Sequence, residues 1–177
     1  MAEIVILLGP TGAGKSAQGE RLAAARGWVH LSTGQLLRRS PMVAKQLGDG
    51  RLLPSTEVER VLEAAVAEVP VGQGIVLDGF PRTTDQAEWL DGRLADWQRQ
   101  LARVLLISID EATSEQRLRL RGRSDDNIIA QRKKWREYET IMAHVADYYE
   151  RHQQLATIDG RGSMDEVEAH IKEALLP

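Results

Sequence analysis

The run Gly9-Pro10-Thr11-Gly12-Ala13-Gly14-Lys15-Ser16 sets two glycines, four residues between them, ahead of a lysine and a hydroxyl. A glycine-rich turn of this kind lets successive backbone N–H groups converge on phosphate oxygens. A helix beginning at its end adds the positive pole of its dipole. Gly12, Ala13 and Gly14 would line the cradle, Lys15 would place its charge on the β- and γ-phosphates of a nucleoside triphosphate, and Ser16 would put a hydroxyl near Mg2+. Such a match carries meaning only in context. Here the β-branched apolar run Ile4–Leu8 precedes it and a helical pattern from Lys15 follows. Asp78 closes another apolar run, Ile75–Leu77. An aspartate there is either a helix cap or a carboxylate holding Mg2+ or its waters; beside a phosphate loop, the metal role is expected.

Several arginines fall just past the ends of apolar runs: Arg38, Arg82, Arg121 and Arg123. The guanidinium fork pairs bidentately with phosphate, and transfer between two phosphorylated molecules needs a ring of cations. The same residues also suit a solvated surface, and the residue pattern alone leaves both readings open for Arg38 and Arg82. Arg93, Arg99 and Arg103 read as surface arginines.

The elements that must hold these residues follow from periodicity. Strands are expected at Ile4–Leu8, Trp28–Leu31, Ile75–Leu77, Val104–Ile109 and Ala156–Ile158. Helices are expected at 15–25, 56–69, 83–94, 110–121, 127–151 and 164–176, the last capped by Ser163. Alternation of strand and helix implies an α/β fold: a three-layer P-loop sandwich with a five-stranded parallel sheet and helices on both faces. Ligands in such folds bind at the carboxyl ends of the strands, which places the chemistry just after Leu8, Leu31, Leu77 and Ile109.

Composition narrows the function further. The chain has 177 residues, one domain's length, with 42% hydrophobic and 28% charged residues. A net charge of −3 offers no global basic field for nucleic acid or a membrane surface. With no cysteine, disulfides, a thiol nucleophile and a Cys-based zinc site are excluded. His30, His144, His152 and His170 have no metal-ligand spacing and read as surface or core-edge residues. The N-terminal residues read as a strand rather than a targeting segment, and no apolar run approaches the roughly 20 residues of a membrane span. A cytoplasmic protein is expected.

Taken in order along the chain, the motifs resemble the adenylate kinase family. Leu77-Asp78-Gly79-Phe80-Pro81-Arg82 with Gln86 resembles that family's signature segment. Ser32-Thr33-Gly34-Gln35-Leu36-Leu37-Arg38 resembles its monophosphate-binding helix, Gly50–Pro54 the strap over the monophosphate base, and Arg117–Asp126 its lid arm. Tyr138 and Tyr149 fall at the family's spacing along the long helix. The resemblance implies reversible Mg2+-dependent phosphoryl transfer from ATP, as co-substrate, to AMP. It also implies roles: Gly12 to Ser16 on the ATP phosphates, and Arg117 and Gly162 at its adenine. Thr33, Arg38, Leu53, Gly79, Arg82, Gln86, Arg123 and Lys134 would hold AMP, and Lys15, Arg82, Arg121 and Arg123 would be catalytic. ATP and AMP are then the expected partners of a monomer.

Departures from the family pattern are also visible. Gln35 stands where the family usually has Asp, and Ala17 where it usually has Thr. Only Ser124 separates Arg123 from Asp125, and the segment from Arg38 to Gly50 is short. The expected organisation is therefore a single kinase domain, 1–177, with a reduced monophosphate-binding segment at 32–56 and a minimal lid loop at 121–126. An ungapped match of the long helix puts Lys134 where the family has a phosphate-gripping arginine, with Arg132 and Arg136 nearby. Two other readings fit: a kinase for CMP or UMP, against which Gln86 argues, and an ATP/AMP sensor with weak turnover, which Lys134 and the short lid favour.

Overall fold

The computed structural model describes residues 1–39, 54–121 and 128–176, with side chains except at 121, 128–134, 136 and 137. The run Ile4–Leu8 has no polar face, so it demands cover on both sides. It becomes β1 (Ala2–Leu8), with every residue from Ile4 to Leu8 buried. β2 (Val29–Ser32), β3 (Ile75–Asp78), β4 (Arg99–Ser108) and β5 (Leu155–Asp159) complete a parallel sheet in the order β2-β3-β1-β4-β5.

Alternate side chains of β1 feed two cores. Ile4, Ile6 and Leu8 pack with Leu62, Val66, Phe80, Leu90, Val145 and Tyr149. That face is covered by α3 (Ser55–Ala67), α4 (Thr84–Arg93) and α6 (Ile128–Arg151). Val5 and Leu7 pack with Leu22, Ala23, Val167 and Ile171, from α1 (Lys15–Arg26) and α7 (Met164–Ala174). Each Val, Leu, Ile or Phe side chain among them contributes about 1.5–3 kcal/mol when taken from water. α2 (Thr33–Arg39) follows β2 directly, and α5 (Glu111–Arg121) follows β4. The α/β three-layer expectation holds.

Two expectations are corrected. β4 begins at Arg99 rather than Val104, because Arg99, Gln100 and Leu101 pair with Ala2, Glu3 and Ile4 before a bulge between Ile4 and Val5. Backbone pairing carries the strand through residues whose polarity hides it. Arg99 itself is not a surface arginine: it is 2% exposed, and its guanidinium donates to the carbonyls of Gln73, Val69 and Pro70. A buried cation is tolerated where carbonyl oxygens take its donors. The helix ends largely match their signals. Thr83 caps α4 by accepting the Gln86 N–H, and Ser163 and Glu166 form a capping box on α7.

After β1 the chain builds β2 and β3 on one side, then crosses to β4 and β5 on the other. The reversal lies at the carboxyl end of β1, where an open parallel sheet leaves a crevice.

Candidate active site

The loop at that reversal is shaped by its glycines. Gly12 (φ 85°) and Gly14 (φ 88°) are left-handed, a region that side chains with a Cβ rarely adopt. At Gly9 a Cβ would lie 2.5 Å from the Ile107 carbonyl oxygen, so the loop lies directly against β4. Gly14 is the N-cap of α1 with no side-chain cap, and the first turn holds no acidic residue. The positive end of α1 thus has no anion of its own turn to satisfy it. The Lys15 ammonium folds back to donate to the carbonyls of Gly9 (2.8 Å) and Pro10 (2.9 Å), holding its charge over the loop.

Ser16 and Asp78 are brought together from the start of α1 and the end of β3: the Ser16 hydroxyl donates to Asp78 Oδ2 at 2.6 Å. Asp78 is 3% exposed. A hydroxyl and a carboxylate at the mouth of a phosphate loop are hard oxygen donors, the kind Mg2+ takes alongside phosphate and water. The pair fits the ion. His30 Nε2 lies 3.8 Å from the same Asp78 oxygen, and its ring occupies the space beside Gly19. Burial draws its pKa below the ordinary histidine value despite Asp78, so it packs there as a neutral ring.

Beyond β2 and β3 lie the residues expected to hold a monophosphate. Thr33 is 1% exposed, and its hydroxyl has no hydrogen-bond partner among the described residues. A buried hydroxyl without a partner is costly unless something else meets it. Arg38 is exposed and reaches back over Gly34, with Nη1 3.4 Å from where a Cβ would stand. Arg82 is exposed at the end of the turn after β3 and donates from Nε to the Gly79 carbonyl at 3.1 Å; Gly79 sits at φ 82°. Gln86 is 6% exposed; its Oε1 accepts the Arg82 N–H at 2.8 Å and its Nε2 donates to Ser55 Oγ at 3.2 Å. Each end of the amide keeps one further hydrogen-bonding position. Leu53 lies outside the described residues.

On the other side of the loop, Arg117 of α5 is half-buried and reaches the Gly12 carbonyl (Nη1, 3.4 Å) and the carbonyls of Arg161 and Gly162 (Nη2, 3.4 and 3.2 Å). It therefore ties the glycine-rich loop to the turn after β5, where Gly162, expected beside a triphosphate's base, lies. Arg121 ends α5 and Lys134 lies within α6, but their side chains, like Arg123 and the 122–126 stretch, lie outside the described residues.

The structure thus groups Gly12, Ala13, Gly14, Lys15, Ser16, Asp78, Arg117 and Gly162 around one loop, with Thr33, Arg38, Gly79, Arg82 and Gln86 beyond the adjacent strands. Sequence reasoning placed His30 as a surface or core-edge histidine, which its 10% side-chain exposure bears out, and did not single out Ser55. His30 pairs with Val76 of the neighbouring β3, whose last residue is Asp78, and only strand pairing reveals its closeness to that carboxylate. Among the described residues no helix is long and apolar enough to cross a membrane.

The chain is similar to known proteins along most of its length. The family model for adenylate kinase matches residues 7–154. An adenylate kinase of Nocardia farcinica is 38% identical, covering 97% of this chain and 98% of its own. One from Maricaulis maris is 36% identical over 97% of each chain, and one from a Synechococcus strain is 37% identical over 99% of this chain and all of its own.

Proposed function

Because the chain belongs to the adenylate kinase family, it is a phosphotransferase interconverting ATP plus AMP with two ADP, and we propose how its own residues divide that work. An oxygen of the AMP phosphate attacks the γ-phosphorus of ATP. The bond from that phosphorus to the β–γ bridging oxygen breaks, and its electron pair leaves with ADP. The attacking phosphate is already anionic, so no general base is required, and catalysis rests on positioning and charge neutralisation.

The loop from Gly12 to Ser16 and the start of α1 hold the β- and γ-phosphates, and Lys15 exchanges its two carbonyl contacts for phosphate oxygens. Ser16 and Asp78 would hold Mg2+, directly or through water; when bound, the ion offsets charge on the phosphates. Arg117 and Gly162 flank the ATP adenine. Thr33, Arg38, Leu53, Gly79, Arg82 and Gln86 receive AMP, with Arg82 on its phosphate and the remaining donor and acceptor of Gln86 on the Watson–Crick edge of its base. Arg121, Arg123 and Lys134 neutralise the group in transit. The segments 32–56 and 121–126 act as the monophosphate-binding segment and the lid of a single domain. The protein works as a cytoplasmic monomer.

The observation that carries this division is the Lys15 ammonium held on the Gly9 and Pro10 carbonyls together with the Ser16–Asp78 contact at the start of the same helix. A coupled assay of ADP formation with AMP, CMP, UMP and GMP as acceptors tests it. AMP is expected to be preferred, and equal rates with CMP would overturn the roles given to the AMP residues.

A further inference from the structure

Ser114 sits in the first turns of α5 and is 4% exposed. A serine inside a helix ordinarily turns to water or back to the carbonyl four residues earlier. Here that carbonyl, of Asp110, takes the backbone N–H of Ser114 at 3.1 Å. The hydroxyl instead crosses to another part of the chain and donates to the Thr11 carbonyl at 2.7 Å. The fit is close. A Cβ on Gly12 would meet the Ser114 carbonyl oxygen and Oγ at 3.2 Å, so the phosphate loop rests on this residue at van der Waals distance.

The consequence lies in the Thr11–Gly12 peptide. A trans peptide is planar and points its C=O and N–H in opposite directions. With the Thr11 carbonyl bound by Ser114, the Gly12 N–H is turned away from α5. Gly12 also has the left-handed backbone such cradles use. The first turn of α5 is itself held rigid: Asp110 Oδ1 accepts the Thr113 N–H at 2.7 Å. The hydroxyl is thus presented from a fixed support. The neighbouring Gly12 carbonyl is approached from the same helix by Arg117.

We propose that Ser114 is a positioning residue for the triphosphate site, which presets the Gly12 amide for a phosphate oxygen by holding the Thr11 carbonyl outward. Ser114 touches no substrate; it acts through the loop. The proposal rests on the reading of Gly9–Ser16 as the triphosphate loop. Without the hydroxyl, the Thr11 carbonyl is free to turn to water, and the Gly12 N–H must be reoriented each time a triphosphate binds. That ordering cost falls on ATP alone.

The test is Ser114→Ala, a substitution that keeps the helix intact because alanine is the better helix former. Titration calorimetry measures binding of ATP and of AMP separately, beside the melting temperature of the nucleotide-free protein. A net hydrogen bond of ordinary strength corresponds to an ATP dissociation constant raised about 3- to 10-fold. The AMP constant is expected to stay unchanged, with KM for ATP moving more than KM for AMP in steady-state assays. Unchanged ATP binding in Ser114→Ala overturns the proposal. So does an equal weakening of ATP and AMP, which marks a general loss of structure. If the parent protein itself binds no ATP, the reading of the loop fails instead, and the parent titration separates the two cases.

Discussion

Replacing Lys15 by Met keeps the length of the stem and removes the charge. The ammonium donates to the Gly9 and Pro10 carbonyls at 2.8 and 2.9 Å. Both carbonyls belong to buried residues of the loop. Leaving a buried acceptor without its donor costs about 1–3 kcal/mol. In the nucleotide complex the same donors meet phosphate oxygens. Charge-assisted hydrogen bonds contribute about 1.5–3 kcal/mol each, so losing two removes about 3–6 kcal/mol from transition-state binding. At 1.36 kcal/mol per tenfold, kcat/KM should fall by about 10²- to 10⁴-fold. A coupled ADP-formation assay gives the rate, and a thermal melt confirms that the variant is folded. A folded Lys15→Met protein within tenfold of the parent would refute the assignment of the phosphate loop.

Gln86→Leu removes the amide proposed to read the AMP base and also unpairs the Arg82 N–H and Ser55 Oγ; KM for AMP should rise about tenfold or more and the advantage over CMP should narrow, in the same acceptor assay. Lys134→Arg trades a compact charge for a bidentate fork and should raise kcat more than it changes AMP affinity; a neutral result beside a crippled Arg132→Ala or Arg136→Ala would move the gripping role to that arginine. Asp91 of α4, facing Tyr148 of α6, has its pKa raised from the ordinary aspartate value by burial, against the lowering effect of its Tyr148 hydroxyl bond. A raised folded pKa means the folded state binds the extra proton, so stability is greatest below the ordinary carboxylate value and declines as pH rises through the folded one. Asp91→Asn should therefore gain melting temperature relative to the parent at pH 7, with the difference shrinking toward pH 4; a constant difference across that range would contradict it.

The sequence by itself determined the order of strands and helices, the three-layer parallel fold and the glycine-rich loop at the end of β1. These rest on local signals: an apolar run with no polar face, glycines where the backbone must turn left-handed, and a lysine and hydroxyl at a helix start. The adenylate kinase resemblance rested on short contiguous motifs of the same kind, which the similarity of the whole chain to adenylate kinases bears out. Tertiary structure alone decided what depends on distant segments meeting. Arg99 reads as a surface residue because its neighbours are polar, yet three carbonyls from the turn before β3 enclose it. The same holds for His30 against Asp78, Ser55 on Gln86, and Ser114 under the phosphate loop, 103 residues along the chain from the carbonyl it holds. Periodicity reports which face of an element is apolar, whereas a polar contact is set by where the sheet register and helix packing carry two side chains. That information is spread over the whole fold and resides in no single stretch of sequence.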